Sequence, residues 1–194
     1  MWQGLLIPFG YLLGSVNTAI PLSRILKLPD PRTEGSKNPG ATNMLRLGGK
    51  RAAALTLAGD MLKGLLPMVV GRALEADPVL LAATGAAVFV GHLFPVFFGF
   101  QGGKGVATAW GVLTGFSWLV GLLMPVTWVV VAKLTRISSV SALVAACLAP
   151  VYLWLIAREP VFVLTSVAMT AVMIWSHRAN IQRLLRGEEG RIGG

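Results

Sequence analysis

The sequence GVATAWGVLTGFSWLVGLLMPVTWVVVA, at residues 105–132, contains no charged side chain and decides the fold. A helix that crosses a membrane needs about 20 apolar residues, so this stretch is too long for one crossing and too short for two full ones. Lys104 stands on one side of it and Lys133 on the other. The glycines between residues 115 and 121, together with Pro125, favour a turn inside the stretch, and therefore a hairpin of two short helices.

Most of the remaining chain is apolar as well. Of its 194 residues, 55% are hydrophobic and 13% are charged, whereas a soluble domain has about 25% charged residues. This composition excludes an ordinary soluble protein and an intrinsically disordered one. No basic residue precedes the first apolar stretch and no clean cleavage site follows it, so we expect a retained span rather than a signal peptide. The further stretches of near-spanning length are residues 1–23, 52–71, 79–103, 137–157 and 160–176.

The positions of the lysines and arginines set the number of spans and their direction. Cytoplasmic loops of membrane proteins carry an excess of these residues. If residues 105–132 form a hairpin, all 17 cations except Lys63, Arg72 and Arg158 lie on the cytoplasmic side. The sequence therefore predicts an all-α, polytopic membrane helix bundle, a single domain over residues 1–194. It has seven spans, the fourth and fifth of them short, with the amino terminus outside and the carboxyl terminus inside.

A first polar segment, residues 35–46 with the sequence GSKNPGATNMLR, lies on the predicted cytoplasmic side. Asn38, Pro39 and Gly40 favour a turn, because proline restrains the residue before it and glycine permits a positive φ. Hydroxyl, amide and cationic groups around a turn suit the binding of a phosphate. The alternative is a solvated loop whose cations only set the topology. The candidate substrate-binding residues here are Ser36, Lys37, Asn38, Thr42, Asn43 and Arg46.

A glycine loop, residues 99–105 with the sequence GFQGGKG, ends where the uncharged stretch begins. Glycines around Lys104 allow backbone N–H groups to face an anion, and a helix that begins near Lys104 would point its positive end there. The loop lacks the nucleotide-binding P-loop pattern, since Phe98 and Gly105 stand where that pattern needs glycine and Ser or Thr. Upstream, His92 is either a site residue or a core histidine bonded to backbone. The candidate residues are His92, Gly102, Gly103, Lys104, Gly105 and Thr108.

A carboxyl-terminal segment, residues 176–189 with the sequence SHRANIQRLLRGEE, follows the last span. His177 and Asn180 are three residues apart and share one face of a helix, which makes them candidate site residues. The segment has the apolar and basic faces of a short interfacial helix, and Gly187 ends it. We expect Arg183, Arg186 and Arg191 to set the topology and to contact anionic lipid.

One pair of opposite charges falls within the predicted second span. Asp60 and Lys63 are three residues apart on one helical face, and ionisable groups at such depth need a partner. They either orient the first polar segment or line a polar pocket, or they form a structural ion pair, and the last interpretation is slightly favoured.

The sequence offers few metal ligands. Cys147 is the only cysteine, and His92 and His177 are 85 residues apart. We therefore expect no metal and no cofactor. The net charge of +9 fits anionic substrates and lipid headgroups rather than nucleic acid, because the cations are placed along one side of a membrane.

Together these motifs resemble those of the bacterial PlsY family of membrane acyl-phosphate:glycerol-3-phosphate acyltransferases. The resemblance covers nearly the whole chain and rests on NPGATN at residues 38–43, GGKGVAT at residues 102–108 and HRANI at residues 177–181. Two positions depart from the family pattern, which usually has glycine where Lys37 stands and lysine where Gln101 stands.

The resemblance implies transfer of a fatty acyl group from acyl phosphate to the sn-1 hydroxyl of glycerol 3-phosphate. The products would be lysophosphatidate and phosphate, in the first acylation of phospholipid synthesis. It also implies a multi-pass protein of the bacterial plasma (inner) membrane, with a cytoplasmic active site, lipid contacts and a functional link to the soluble enzyme that makes acyl phosphate. The residues it implies for catalysis are Ser36, Arg46, Lys104, His177 and Asn180.

Within that reaction, Lys104 and the amides of residues 102–105 would bind a phosphate, that of the acyl donor. Ser36, Arg46 and Asn180 would hold glycerol 3-phosphate. The general base is either His177 or a phosphate oxygen of a substrate, since phosphate titrates with a second pKa of about 6.

Two other functions fit parts of the pattern. One is a different metal-free transferase of phospholipid synthesis. The other is a membrane transporter of a phosphate-bearing anion, which would need charged groups at the midplane and access from both sides. Only Asp60 and Lys63 lie at such depth, whereas all three polar segments lie on one predicted side.

Overall fold

The computed structural model describes residues 2–192, and the regular secondary structure in that range is entirely helical. This confirms the all-α prediction. The nine α-helices of this range are α1 (Leu6–Gly14), α2 (Ala19–Ile25), α3 (Ala41–Ala73), α4 (Pro78–Leu93), α5 (Val106–Phe116), α6 (Trp118–Thr135), α7 (Ser138–Ile156), α8 (Pro160–Ser176) and α9 (Arg178–Leu185), and two 3₁₀-helices cover Trp2–Leu5 and Val96–Phe98.

Four helices within residues 2–192 are long and apolar enough to cross a membrane: α3, α4 with the 3₁₀-helix after it, α6 and α7. Two bent pairs, α1 with α2 at 42° and α8 with α9 at 58°, raise the number to six if each pair is one span. Helix α5 is apolar but has only 11 residues. Each predicted span thus coincides with a helix or a helix pair, while the number of crossings and the direction of the termini stay predictions.

The uncharged stretch at residues 105–132 is divided once, at Ser117. This residue is extended, with φ −156° and ψ 122°, and separates α5 from α6. The break lies in the glycine-containing region where a turn was predicted. The prediction of two short helices is wrong for the second, because α6 continues past residue 132 and reaches 18 residues. Pro125 lies inside α6 and not in the turn. Membrane helices tolerate a proline in their interior.

The first predicted span is a broken helix. Helix α1 ends at Gly14 and α2 begins at Ala19. The side chain of Asn17 lies in the break and accepts hydrogen bonds from the N–H groups of Ala19 and Ile20, at 3.1 and 3.3 Å. Asparagine competes in this way with the backbone ladder, so it favours a helix start over a continuous helix.

Helix α1 packs closely against α4 through its glycines. A Cβ added at Gly14 would overlap the carbonyl of Val88, and one at Gly10 would lie 3.0 Å from the Val88 side chain. Small residues allow two helix backbones to approach in this way, which is the main source of helix association in a bilayer. The packing fixes the position of the helix break beside α3 and α4.

The described chain divides into two compact units, with the boundary between Val112 and Leu113. The first unit contains α1 to α4 and the start of α5, with Val88 and Phe89 fully buried. The second contains α6 to α9, and within it the rings of Phe116 and Phe162 stack with centroids 4.3 Å apart. That the chain is one domain stays a prediction.

Candidate active site

The first polar segment is shaped from within by Asn43. This side chain is fully buried at the start of α3. Its Oδ1 accepts a hydrogen bond from the N–H of Ser36 at 2.9 Å, and its Nδ2 donates to the carbonyls of Pro31 and Glu34 at 2.9 and 3.0 Å. Asn43 therefore holds the segment in shape from inside, whereas the sequence analysis placed it among the substrate contacts.

The segment presents its other polar side chains outward. Ser36, Lys37, Thr42 and Arg46 are exposed, and Asn38 is half-buried. Lys37 has φ 55°, in the left-handed region that glycine adopts at no steric cost. This explains why a glycine would fit that position, as the family resemblance implies. Two hydroxyls and two cations that are open to solvent are suited to binding a phosphate.

A charged turn precedes this segment. Nη2 of Arg32 lies 2.6 Å from Oδ2 of Asp30, and the backbone N–H of Arg32 donates to Oδ1 of Asp30 at 2.9 Å. The side-chain hydrogen bond from Arg32 holds the pKa of Asp30 below its ordinary value. Sequence reasoning assigned Arg32 to the topology alone, although an Asp two residues before an Arg in a proline-rich turn signals this pairing.

The glycine loop is packed tightly on the end of α4. A Cβ at Gly103 would overlap the ring of His92, and a Cβ at Gly102 would overlap the His92 carbonyl. Gly105 has φ 87°, and a side chain there would overlap the ring of Phe89. The N–H of Gly103 donates to the carbonyl of His92 at 3.1 Å. The glycines thus serve close packing, and the Gly103 amide bonds to α4, although the sequence analysis expected it to face an anion.

Lys104 lies between these two fixed glycines and is half-buried. Helix α5 begins at Val106, two residues after the predicted start. The carbonyl of Gly105 accepts the first helical hydrogen bond, from the N–H of Ala109 at 2.7 Å. Lys104 therefore stands directly before the amino-terminal end of α5, where the helix dipole favours an anion.

His92 and Thr108 were predicted to contact substrate, but both lie in the interior of the first unit. Their exposed fractions are 3% and 0%. Within residues 2–192, neither Nδ1 of His92 nor Oγ1 of Thr108 has a hydrogen-bond partner. His92 is thus a core histidine, but its Nδ1 is not bonded to the backbone of residues 2–192. Its Nδ1 lies 3.8 Å from Oδ1 of Asp60.

Asp60 and Lys63 form the structural ion pair that the sequence analysis favoured. Oδ1 of Asp60 and Nζ of Lys63 are 3.0 Å apart, and the two side chains are 3% and 5% exposed. Nζ of Lys63 also donates to the carbonyl of Val16 at 2.8 Å. The backbone N–H of Thr18 donates to Oδ1 of Asp60 at 3.3 Å. Both charges are therefore paired and hydrogen-bonded, as buried ions must be.

His177 lies at the junction between α8 and α9 and is 3% exposed. Its Nδ1 is 2.9 Å from the carbonyl of Met173. A hydrogen bond to a carbonyl requires a proton on Nδ1, which in a neutral ring leaves the lone pair on Nε2. The ring is thus held in the tautomer and orientation in which Nε2 can accept a proton.

Asn180 lies on the first turn of α9 and is held by Glu189. Nδ2 of Asn180 donates to Oε1 of Glu189, which also accepts from Oγ of Ser139 at 2.8 Å. Nε of Arg183 donates to Oε2 of the same carboxylate at 2.7 Å. Burial raises the pKa of Glu189, but the hydrogen bonds from Asn180, Ser139 and Arg183 outweigh it, so the pKa is lowered overall.

Glu189 was not among the residues predicted to matter, and Arg183 has a contact that was not predicted. Arg183 was assigned to topology and lipid, but it forms an ion pair with Glu189. The prediction that Gly187 ends the last helix is confirmed, since α9 ends at Leu185 and Gly187 has φ 72°. This turn reverses the chain and returns Glu189 to α9. The available signal was a pair of acidic residues, Glu188 and Glu189, after a helix-ending glycine.

The candidate residues fall into two groups. The first unit contains the first polar segment and the glycine loop, with Ser36, Arg46 and Lys104. The second unit contains His177 and Asn180 on adjacent turns. No group of three or more His, Cys, Asp or Glu side chains within residues 2–192 is placed to hold a metal ion.

Comparison with known proteins identifies the family. The family model described as glycerol-3-phosphate acyltransferase matches residues 4–187. The chain is 60% identical to the glycerol-3-phosphate acyltransferase of Methylococcus capsulatus over 191 residues, which are 98% of this chain and 96% of the relative. It is 58% identical to that of Thioalkalivibrio sulfidiphilus, over 94% of this chain and 90% of the relative.

The fold is similar to two crystal structures of PlsY, an integral membrane glycerol 3-phosphate acyltransferase. The glycerol 3-phosphate form superposes with a TM-score of 0.94 at 37% identity, and covers 100% of this chain and 96% of that one. The lysophosphatidic acid form gives a TM-score of 0.91 at 35% identity, with the same coverage. The family match, the close relatives and the shared fold agree, and this multi-pass membrane protein therefore belongs to the glycerol-3-phosphate acyltransferase family.

Proposed function

We propose that this acyltransferase moves a fatty acyl group from acyl phosphate to the sn-1 hydroxyl of glycerol 3-phosphate, and forms lysophosphatidate and inorganic phosphate. The observation that carries this proposal is the presence of two separate cationic positions in the first unit of a glycerol-3-phosphate acyltransferase. One is the exposed side of the first polar segment, and the other is Lys104 before α5. A reaction in which both substrates carry a phosphate needs two such positions.

The chemistry of the donor supports the proposal. An acyl phosphate is already activated, because phosphate is a good leaving group. The substrate hydroxyl attacks the acyl carbonyl carbon, a new C–O ester bond forms, and the C–O bond to phosphate breaks. The hydroxyl proton passes to a base, and the electron pair of the broken bond leaves with phosphate. The nucleophile belongs to the substrate, so we propose direct transfer without an acyl-enzyme and without a metal or cofactor.

The acceptor phosphate is assigned to the first polar segment. Ser36 and Arg46 are exposed, and they would hold the phosphate of glycerol 3-phosphate. Asn180, in the second unit, is proposed separately as a substrate-binding side chain. The remaining exposed or half-exposed groups of the segment, Lys37, Asn38 and Thr42, would form the rim of this position. An arginine suits this task because its planar fork binds two phosphate oxygens together.

The donor phosphate is assigned to Lys104. This ammonium stands before the amino-terminal end of α5, and the two glycines beside it are fixed by contacts with His92 and Phe89. Charge that develops on the departing phosphate would be stabilised by the ammonium and by the helix dipole. A position that is fixed in advance costs no reorganisation during the reaction, which is what makes such stabilisation effective.

Two groups are suited to accept the hydroxyl proton. His177 has its ring fixed through Nδ1, which leaves Nε2 as the basic atom. A phosphate oxygen of a substrate is the alternative, since its second pKa is about 6. A His177→Gln variant distinguishes them, because it keeps a polar side chain but has no basic nitrogen. A loss of kcat that added imidazole restores assigns the proton to His177, whereas an unchanged kcat assigns it to the phosphate.

The proposed site lies on the cytoplasmic side of the bacterial inner membrane, where most cations of the chain are placed by the positive-inside rule. The acyl chain would enter from the bilayer, and the soluble acceptor from the cytoplasm. Acyl phosphate would be supplied by a soluble enzyme, so we also propose a functional link to that enzyme.

A donor comparison tests the proposal. Purified protein in detergent is given glycerol 3-phosphate with either palmitoyl phosphate or palmitoyl coenzyme A. We expect lysophosphatidate from palmitoyl phosphate alone, with phosphate release that depends on glycerol 3-phosphate. Transfer from the coenzyme A ester only would keep the family activity but overturn the proposed donor. Lys104→Ala is the matched variant, since its kcat/KM with acyl phosphate should fall about ten- to hundred-fold.

A further inference from the structure

The buried ion pair of α3 forms hydrogen bonds with the backbone in the break between α1 and α2. Residues 15–18 interrupt the helix, so the carbonyl of Val16 and the N–H of Thr18 lie outside the hydrogen-bond ladders of both helices. Lys63 donates to the Val16 carbonyl at 2.8 Å, and Asp60 accepts from the Thr18 N–H at 3.3 Å. The Lys63 ammonium therefore binds the backbone carbonyl just before Asn17, and the Asp60 carboxylate binds the backbone N–H just after it.

The same break contacts the first polar segment. Asn17 is fully buried within it. Nδ2 of Asn17 donates to the carbonyl of Pro39 at 3.3 Å, while its Oδ1 accepts from the start of α2. Pro39 lies in the turn that follows Ser36 and precedes Arg46. The position of this turn thus depends on the position of the helix break, which α3 holds.

The ion pair also borders the glycine loop. Oδ1 of Asp60 lies 3.8 Å from Nδ1 of His92. The His92 ring fills the space against Gly103, and the His92 carbonyl accepts the N–H of Gly103 at 3.1 Å. A shift of Asp60 or of the His92 ring would therefore move the residue directly before Lys104.

Stability alone does not account for this arrangement. A buried ion pair contributes little net stability compared with apolar residues of the same size, because both charges lose their hydration. The hydrogen bonds of Asn17, Asp60 and Lys63 to the backbone do fix one arrangement of the groups around them. The contacts of this network run to the two segments that carry the proposed phosphate positions.

We propose that Asn17, Asp60, Lys63 and His92 form a positioning network, which fixes the first polar segment and the glycine loop relative to each other for acyl transfer. All four side chains are buried, so we assign them a positioning role and no contact with substrate. The inference rests on the proposed function of the two segments. A displacement of reacting groups by about 1 Å costs about 100-fold in rate, so a network that prevents small shifts has a large effect on kcat.

Four variants test the network. Asn17→Ser keeps a good helix-capping hydroxyl but is too short to reach Pro39. Asp60→Asn keeps an oxygen for the N–H of Thr18 but removes the charge. Asp60→Lys combined with Lys63→Asp keeps a buried ion pair with its polarity reversed. Thr56→Val is the matched control, because Thr56 is buried one turn earlier on α3 and its hydroxyl donates within its own helix, to the carbonyl of Ala52 at 2.8 Å.

Each variant is compared with the wild type by kcat, by KM for both substrates, and by Tm in detergent, with rates measured well below Tm and normalised to folded protein. We expect Asn17→Ser and Asp60→Asn to lower kcat about 10- to 100-fold. Asn17→Ser should also raise KM for glycerol 3-phosphate more than KM for the acyl donor. The reversed pair should not restore activity, and Thr56→Val should match the wild type.

The network is overturned if folded Asn17→Ser and Asp60→Asn keep wild-type kcat and KM, whatever their Tm. Restored activity in the reversed pair would also overturn it, since an ion pair of either polarity would then suffice. If Asp60→Asn does not fold, Asn17→Ser decides by itself. Failure of the proposed function has a different result: the wild type then makes no lysophosphatidate from acyl phosphate, and the variants are compared with the donor that it does use.

Discussion

The side-chain amide of Asn180 donates a hydrogen bond to Oε1 of Glu189, a residue nine positions further along the chain. The amide nitrogen is thereby directed toward the carboxylate, so Oδ1 of Asn180 is directed away from it. Arg183 and Ser139 bind the same carboxylate. Glu189 thus orients one proposed substrate-binding side chain and joins α7, α9 and the chain that follows α9.

Replacing Glu189 with glutamine should destabilise the protein. The change removes the charge that three donors share, and hydrogen bonds to charged groups contribute about 1.5–3 kcal/mol. Arg183 is 41% exposed in its side chain, which weakens its share through solvent screening, so we expect a loss of about 1–2 kcal/mol. Thermal unfolding in detergent measures it, with Glu188→Gln as the neighbouring control. Equal Tm values for the two variants would contradict a structural role for Glu189.

The lowered pKa of Glu189 predicts that the stability of the protein depends on pH. The pKa of Glu189 is lowered in the folded protein, from an ordinary value of 4.5. A lowered pKa means that the folded state binds this proton less readily than the unfolded state. The stabilisation that ionised Glu189 provides is therefore complete above pH 4.5. It is lost as the pH falls through the lowered pKa of the folded state. The Tm difference between wild type and Glu189→Gln should be constant near neutral pH and should close in acid; a difference that widens in acid would contradict it.

Lys104→Ala should impair the reaction strongly. It removes a charge-assisted contact to phosphate of about 1.5–3 kcal/mol, which corresponds to a loss in kcat/KM of about ten- to hundred-fold. Lys104→Arg should recover little, because the neighbouring glycines are fixed against His92 and Phe89 and leave no freedom to fit a wide guanidinium. Steady-state kinetics with acyl phosphate varied at saturating glycerol 3-phosphate measure the effect.

Arg191→Ala is the control for that experiment, since Arg191 is assigned to topology and lipid contact and should have almost no effect on the rate. If Lys104→Ala keeps wild-type efficiency toward both substrates, the glycine loop is a structural connection between α4 and α5 and the donor phosphate binds elsewhere.

The seven-span topology predicts which positions are accessible from each side. In a Cys147→Ser background, cysteines introduced at Lys37, Gln101 and Arg186 should react with a membrane-impermeant reagent only from the cytoplasmic side. A cysteine at Glu75, in the exposed turn between α3 and α4, should react only from the outside. Labelling of the cysteine at position 186 from outside would place the carboxyl terminus outside. In that topology α5 would not cross the membrane.

Acyl transfer should be insensitive to chelators. The sequence offers one cysteine and two histidines, and the described residues form no cluster suited to a metal. Dialysis against EDTA should therefore leave kcat unchanged. A loss of activity that magnesium or zinc restores would show a metal requirement and contradict the proposed chemistry.

The sequence was sufficient for the helices and for the buried ion pair, because both follow from short-range patterns. Runs without charge locate membrane helices, and two opposite charges three residues apart in such a run must pair. The spacing of the two charges could not show which other groups the pair contacts. Its contacts to Val16 and Thr18 exist only because α1 breaks, and the break depends on how Asn17 competes with the backbone ladder.

The polar segments coincide with loops and helix ends of the structure, but the roles of the residues within them were harder to predict. Asn43 and Thr108 have the residue types of ligands, yet each lies on the inner face of its helix and serves packing or shape. A difference of one residue decides which face a helical side chain occupies, and loop residues carry no period that would show it. Glu189 was missed for the opposite reason, since its partners are brought together by the turn at Gly187.

The most direct test of the central claim is the identity and amount of the products made from palmitoyl phosphate labelled with ¹³C in its acyl chain. Purified protein is incubated with this donor and glycerol 3-phosphate, the lipid is identified by mass spectrometry and NMR, and inorganic phosphate is measured in parallel. The account predicts labelled lysophosphatidate acylated at the sn-1 position, with one phosphate released for each molecule formed. Phosphate release without glycerol 3-phosphate, acylation at another position, or no labelled lysophosphatidate would contradict it.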